Sequence, residues 1–388
     1  MNDAELHALI TLMSLKHAGP RRLRALLALA TGEEVVDSLR NRRRPRAAED
    51  PSEIAVSISS AVWEGWFNEV RAKADGVDLD AHRSSGGQIL HPEHPAWPFV
   101  DDPDPPVLAF VRGSAELLER RPCVAIVGTR RCTSVGRHVA EEIGRQLAEA
   151  GVSVVSGLAL GVDAAAHRGA LSVGGAAIGV VASGLDVVYP ASNRALWEAV
   201  AVSGLLLSEV PMGQRPTKWR FPARNRMIAA LSDLVVVVES HAKGGALSTV
   251  DEANDRGVAV VVVPGSTRSS ASDGTNALLI DGAIPVRDAA DVLDVLGYAA
   301  PKDREPTQTR LEIPLGIEGD PKQLVLDAIA SGPVHIDRLI ELLGVSPPAA
   351  AATIKELSVS GDVVMDGHVV SRSQALMRDR LDRAEPSR

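Results

Sequence analysis

Six short apolar runs between Cys123 and Gly265 set the tightest limit on what this chain can fold into. They are Cys123–Val127, Val152–Val155, Ala176–Ala182, Leu205–Ser208, Leu234–Val238 and Val258–Val263, rich in Val, Ile and Leu with no polar alternation. A strand that is apolar at nearly every position needs cover on both faces, which a parallel sheet between helical layers supplies. Helical stretches separate the runs. Between the first two, Val135, Val139, Ile143 and Leu147 recur every four residues, and Gly151 offers a helix stop. Strands alternating with helices in this way specify an α/β fold: a Rossmann-like, doubly wound, mainly parallel sheet.

The flanks follow other rules. Residues 1–90 read as a small helical domain. Leu6, Leu9, Ile10 and Met13 share one helix face, Gly19-Pro20 breaks that helix, and Leu23, Leu26, Leu27 and Ala30 restart the period. The basic run Arg42-Arg43-Arg44-Pro45-Arg46 reads as a solvated turn. Residues 91–106 are rich in Pro and Asp, which is connector chemistry, and they open a core domain expected over 91–298. Residues 299–320 lose periodicity and gain Pro and charge, as a linker does. Over 321–373, three helical stretches (Leu324–Ile329, Ile336–Leu343, Ala349–Leu357) precede two apolar segments that flank the hairpin signal Asp366-Gly367. Three helices and a hairpin in that order describe a winged helix.

At 388 residues the chain has room for two or three such domains. The net charge of −9 gives no global positive field, so any polyanion site must be a local patch. Two cysteines, Cys123 and Cys132, make neither a disulfide framework nor a cysteine-rich zinc site, and Cys123 reads as core. The acidic start lacks a positively charged leader, and no apolar run reaches membrane-spanning length. A soluble, cytoplasmic protein without membrane contact is expected.

Ligands of such sheets bind beyond the carboxyl ends of the strands. The loops there are Gly128-Thr129-Arg130-Arg131, Ser156-Gly157-Leu158-Ala159-Leu160-Gly161, Ser183-Gly184, Lys243-Gly244-Gly245 and Pro264-Gly265-Ser266-Thr267-Arg268. Glycine lets a backbone approach a ligand, and free N–H groups at a helix start cradle phosphate. Glycines also make plain tight turns, and Ser183-Gly184 reads that way. Five such loops on one rim suit an extended polyanion better than a mononucleotide. Between the fourth and fifth strands, Lys218 to Arg226 packs four cations and two large aromatics into nine residues. Cations neutralise phosphates and rings stack bases, the combination that holds single-stranded nucleic acid without reading its sequence. Lys218, Arg224, Arg226, Arg130 and Lys243 are the candidate phosphate contacts. Phe221 and, with less support, Trp219 are the candidate stacking rings, unless either is buried as core.

Other chemistries fit poorly. The first loop has no G-x-G-x-x-G, the second strand ends in Ser156-Gly157 with no acid for a ribose, and no G-x-x-x-x-G-K-[ST] occurs. His167 reads as a packing or capping residue and Asp163 as the cap of its helix. No cofactor and no metal site is expected. Lys243 to Glu252 partly resembles the P-G-G-x-G-T-x-x-E loop of Rossmann-like phosphoribohydrolases, which is the alternative reading.

Three segments carry a more specific likeness: Val124 to Arg130, Ser156 to His167, and Phe221 to Arg226. With Gly184 to Pro190, Leu207-Ser208-Glu209 and Gly274 to Leu279, they resemble the DNA-processing protein A family (DprA, also called Smf), strongly over residues 90–298. The resemblance implies a single-strand DNA-binding protein, not an enzyme. Such a protein shields incoming DNA and loads the RecA recombinase in natural transformation and recombination, working as a homodimer. It implies that Arg130 contacts phosphate, that Phe221, Arg224, Asn225 and Arg226 form the signature loop, and that Lys243 is a basic contact before Gly244 and Gly245. Leu160 stands where the family often has a basic residue. The N-terminal region resembles a helix-hairpin-helix domain with one of its two glycines, Gly19, kept. The third helix of the winged helix starts Pro348-Ala349-Ala350-Ala351-Ala352, which suits packing or protein contact, not groove reading.

Overall fold

The computed structural model describes residues 1–28, 30–45, 58–72, 79 and 86–298, together with 322, 325–326, 329, 334–336, 339–340, 347–366 and 369–372. The expected linker at 299–320 lies outside these residues.

The chain opens with helices α1 (Asp3–Met13), α2 (Pro20–Leu27), α3 (Gly32–Arg40) and α4 (Ser60–Ala72). Pro20 does not end a helix; it opens α2, with Gly19 at the N-cap. Proline suits that first position because its missing N–H has no intrahelical partner there. Thr31 and Glu34 form a reciprocal capping box at the start of α3. The basic run has more to do than face water. Arg42 pairs with Glu64 and lies 5.5 Å over the Phe67 ring, and Arg44 lies 5.9 Å over Trp63. These guanidinium groups cover the aromatic face of α4, where Trp63, Trp66 and Phe67 are buried.

The sheet follows: β1 (Gly87–Leu90), β2 (Ala109–Gly113), β3 (Cys123–Val127), α5 (Ser134–Glu149), β4 (Ser153–Ser156), α6 (Val162–Ser172), β5 (Ala177–Val181), α7 (Arg194–Ser203) and β6 (Leu205–Ser208). The chain then runs through α8 (Arg220–Ala230), β7 (Leu234–Val237), α9 (Leu247–Asp255), β8 (Ala259–Val262), α10 (Asp273–Ile280), β9 (Ile284–Pro285) and α11 (Ala289–Val295). The order across the sheet is β1-β2-β6-β5-β4-β3-β7-β8-β9. Strands β3 to β9 are parallel, while β1 and β2 add an antiparallel edge on β6. All six apolar runs are strands, in the mainly parallel sheet expected of them. The edge strands β1 and β2 and the two-residue β9 were not foreseen, and β1 draws residues 87–90 out of the helical region and into the sheet.

Alternate strand residues feed two cores. Val124, Ile126, Val154 and Val236 join one, and Ala125, Val127, Val155 and Val235 join the other. The first also takes in Leu9, Leu12, Leu26 and Trp66 of the N-terminal helices. Polar clamps support that union: Gln214 Nε2 donates to Ser14 O at 3.3 Å, and Arg24 bonds Pro105 O at 2.6 Å and pairs with Asp104. Arg256, paired with Asp102 at 2.8 Å, pins the same proline-rich segment. Helices and sheet thus form one compact unit, Met1–Pro301.

The second unit has its own core. In α12 (Pro347–Val359), Ala350, Ile354 and Leu357 share a buried face with Val325, Leu339, Val363 and Val370. Strand β10 (Val334–His335) pairs with β12 (Val369–Arg372), which also pairs with β11 (Val363–Asp366), the hairpin read from the sequence. Helical stretches 324–329 and 336–343 lie largely outside the described residues.

Candidate nucleic-acid interface

From β3 the chain winds outward to β6 and then returns to β7 on the other side of β3. Connections leave the carboxyl ends of β3 and β7 in opposite directions, and a crevice opens between them. A cleft of about 520 Å³ lies there, lined by Gly128, Thr129, Arg130, Arg131, Phe221, His241, Gly245 and Ser248 among others.

The Arg130 loop is held from the β7 side. Thr129 N donates to Glu239 O at 2.7 Å, and Thr129 Oγ1 lies 3.2 Å from His241 Nδ1. The buried Glu239 carboxylate accepts from Thr133 N at 2.8 Å and Thr133 Oγ1 at 2.6 Å, while Thr133 caps α5. This anchoring leaves Arg130 exposed, with its guanidinium 4.8 Å over the Phe221 ring. Tyr189 flanks Phe221 with centroids 5.7 Å apart. Among the described residues no carboxylate pairs with Arg130. A cation stacked on a ring at an open rim is equipped to meet a phosphate and a base together.

The Gly157 loop is held from below. Asp163 Oδ2 accepts from Gly157 N at 3.1 Å and from Ala159 N at 3.4 Å. Arg224 donates to Gly157 O at 2.7 Å and to Val180 O. Burial pushes the Arg224 guanidinium down to about 10, although Asp163 opposes that shift; burial also pushes Asp163 up, against the pull of Arg224. Leu158 adopts a left-handed φ of 52°, and Gly161 takes a φ of +81° where a Cβ would lie 2.3 Å from Thr129 O.

Several expectations change here. Phe221 to Arg226 is not a loop but the first turns of α8, where Pro222 is tolerated because early helical N–H groups lack intrahelical partners. Arg224, expected on phosphate, is only 6% exposed and serves two backbone carbonyls. Arg226, also expected there, is 3% exposed and pairs with Glu209 and, at 3.4 Å, with Asp104. Asn225 ties α8 to α9, its Nδ2 donating to Ser248 Oγ at 2.6 Å. Asp163 does not cap α6: it is the second helical residue, Gly161 holds the N-cap position, and its carboxylate faces the preceding loop instead. His167 is buried without being a cap, and burial, opposed by the Ser156 backbone, pushes it down to about 4.

The glycines divide. A Cβ at Gly157 would meet the Arg224 guanidinium at 2.3 Å, and one at Gly128 would meet Val162 at 2.6 Å. At Gly244 it would meet Ser240 Oγ at 2.3 Å, and at Gly184 the Pro211 carbonyl at 2.6 Å. Packing accounts for these four. At Gly245 a Cβ would meet nothing within 4 Å. Lys218 and Lys243 are exposed on neighbouring loops but do not line the cleft. Trp219 lines an adjacent cleft instead. The sequence reading quoted Arg131, Tyr189 and Ser248 only within motifs, without giving them a contact role, and did not mention His241. The position of Ser240-His241 in the loop just past a parallel strand was the available signal for His241.

Fold and cleft together define a Rossmann-like α/β protein whose switch point presents cations and an aromatic ring. The family model described as DNA recombination-mediator protein A matches residues 88–297, and that of the DprA winged helix domain matches residues 305–365. The chain is 34% identical over 320 residues to a putative DNA processing protein DprA of Mycobacterium tuberculosis, covering 76% of this chain and 79% of that one. It is 41% identical over 220 residues to the DNA processing protein DprA of Streptococcus pneumoniae, covering 55% and 77%. The solved structure of DprA from Streptococcus pneumoniae superposes with a TM-score of 0.59 at 33% identity, over 76% of this chain and 98% of that one. A Helicobacter pylori structure, described by its single-stranded DNA binding mode, gives 0.50 at 33% identity, over 55% and 97%. The chain belongs to the DNA-processing protein A (DprA/Smf) family.

Proposed function

We propose that this protein binds single-stranded DNA along the carboxyl rim of its sheet, shields incoming DNA, and loads the RecA recombinase on it in transformation and recombination. It does so as a homodimer and without catalysing a reaction. The observation that carries the reading is Arg130 lying over Phe221 at the switch point, open and, among the described residues, without an acidic partner. The likeness to the Helicobacter pylori protein, described by its single-stranded DNA binding, supports it. Arg130, Lys218 and Lys243 contact phosphate, Phe221 stacks a base, and the backbone of Gly128, Thr129 and Gly245 approaches the strand. Arg224, Asn225, Arg226, Gly157 and Gly244 hold those groups in place. Against a phosphoribohydrolase, the glutamate that would end its motif, Glu252, bonds Arg256 at 2.6 Å and does not line the rim cleft.

The test is fluorescence anisotropy with labelled oligothymidylate and its duplex over a salt series. Affinity for the single strand falls steeply with salt and exceeds that for duplex. Equal affinity for both forms at moderate salt rejects the stacking role. A shorter lag in the DNA-dependent ATPase of RecA reads loading, and sedimentation reads the dimer. Free base released from nucleoside monophosphates would favour the hydrolase instead.

A further inference from the structure

A second cleft, of about 440 Å³, opens beside the first and meets it at Pro222, which lines both. Its walls include His17, Arg21 and Arg22 from the start of α2 and the turn before it, together with Trp219. Arg21 is exposed, and among the described residues no carboxylate pairs with it. The two acids that line the cleft are already engaged: Asp104 with Arg24 and Arg226, and Glu252 with Arg256. Trp219 is 47% exposed, whereas Trp63, Trp66, Trp97 and Trp197 are all buried, so it is the one open indole of the chain's five. The Arg220 guanidinium lies 5.4 Å over it. A half-open indole beside unpaired positive charge repeats, with different residues, the chemistry of Arg130 and Phe221.

We infer that this cleft is a second subsite for the same single strand. DNA leaving the rim passes Pro222, lays a base on Trp219 and places a phosphate near Arg21. Continuity at Pro222 and the like charge of the two clefts favour one nucleic-acid strand over a protein partner as the occupant. The turn at the head of α2 thereby contacts single strands and is no duplex clamp. This inference rests on the rim being a DNA site.

The test uses the full chain and oligothymidylates graded from about 5 to about 30 nucleotides, within and beyond the usual reach of one stacking platform. Long oligonucleotides are expected to quench the exposed tryptophan emission and short ones to leave it unchanged. Trp219→Ala should abolish the quench and lower long-strand affinity about tenfold with short-strand affinity preserved. Arg21→Glu, on an exposed side chain, should weaken long strands in the same selective way and guards against a folding defect in the indole variant. An unchanged long-to-short affinity ratio in both variants, or weakening of duplex binding alone, overturns the second subsite and leaves the rim intact. If Arg130→Ala binds short strands as tightly as the parent protein, the rim reading itself falls.

Discussion

Two arginines that look alike in the sequence do opposite work. Arg130 is exposed and rests on a ring, so Arg130→Ala should leave the melting temperature unchanged and flatten the salt dependence of DNA binding by about one counterion. A salt slope equal to that of the parent protein would remove Arg130 from the phosphate contacts. Arg224 is buried on two carbonyls beside the buried Asp163. Its removal leaves buried carbonyls without their donor, a change that costs about 1–3 kcal/mol for each group left unsatisfied. Arg224→Ala should therefore unfold at much lower denaturant, and binding per folded molecule should fall only as far as the Gly157 loop loses its shape. An unshifted unfolding midpoint would show that the guanidinium is not structural. His167 adds a pH dependence. Its pKa drops from 6.5 to about 4 on folding, so the unfolded chain takes up a proton first as pH falls. Stability from this residue is complete above about pH 6.5 and is lost towards pH 4, by about 3 kcal/mol in all. The buried Asp163 and Glu209 are shifted upward and act in the opposite sense, so the comparison must be with His167→Leu. The fall in denaturant midpoint from neutral to acid pH should be smaller in that variant than in the parent protein, and parallel pH slopes would rule the effect out.

At the level of elements, the parallel strands were legible because burial on both faces leaves an unbroken apolar run, and each of the six runs became a strand. The edge was not legible. Strand β1 spans four residues and carries Gly87 and Gln88, β2 ends in Arg112-Gly113, and β9 is two residues long with a proline, so none has a periodic signal of its own. The rim was legible in its chemistry but not in its geometry. Residue types at 128–130 and 218–226 pointed to a polyanion, but which cations face outward depends on the phase of α8. One turn of that helix exposes Pro222 and buries Arg224 and Arg226. Glu239, which secures the Arg130 loop, lies 109 positions from Arg130, a separation at which local pattern is silent. The glycines carry a test of this division. Gly157→Ala drives a Cβ against a guanidinium fixed by two carbonyls, and overpacking of this kind costs about 1–3 kcal/mol. Gly245→Ala meets no atom within 4 Å and should leave stability unchanged while weakening DNA binding, because the methyl occupies space that the strand needs. Full affinity in Gly245→Ala would move the strand away from that turn.

At the scale of the whole molecule, the chain divides after Pro301 into two compact units, each with its own buried core. Every residue assigned to the rim, and the second cleft beside it, belongs to the first unit. In the second, α12 buries Ala350, Ile354 and Leu357, while the exposed Ala351 and Ala352 add neither charge nor hydrogen-bonding groups. A recognition helix needs polar or basic side chains at its start to reach base edges. Deleting residues 305–388 should therefore leave a first unit that unfolds cooperatively, since chains tolerate cutting where few contacts cross. Its affinity for oligothymidylate should stay within about twofold of the full chain, because the proposed phosphate contacts and stacking rings are all retained. Circular dichroism during thermal unfolding reads the first expectation, and anisotropy at matched salt reads the second. Sedimentation of the same sample gives its oligomeric state, so that a change in avidity is separated from the loss of a contact. A truncated protein that is folded, keeps the parent oligomeric state and yet loses most of its single-strand affinity would assign DNA binding to the winged helix.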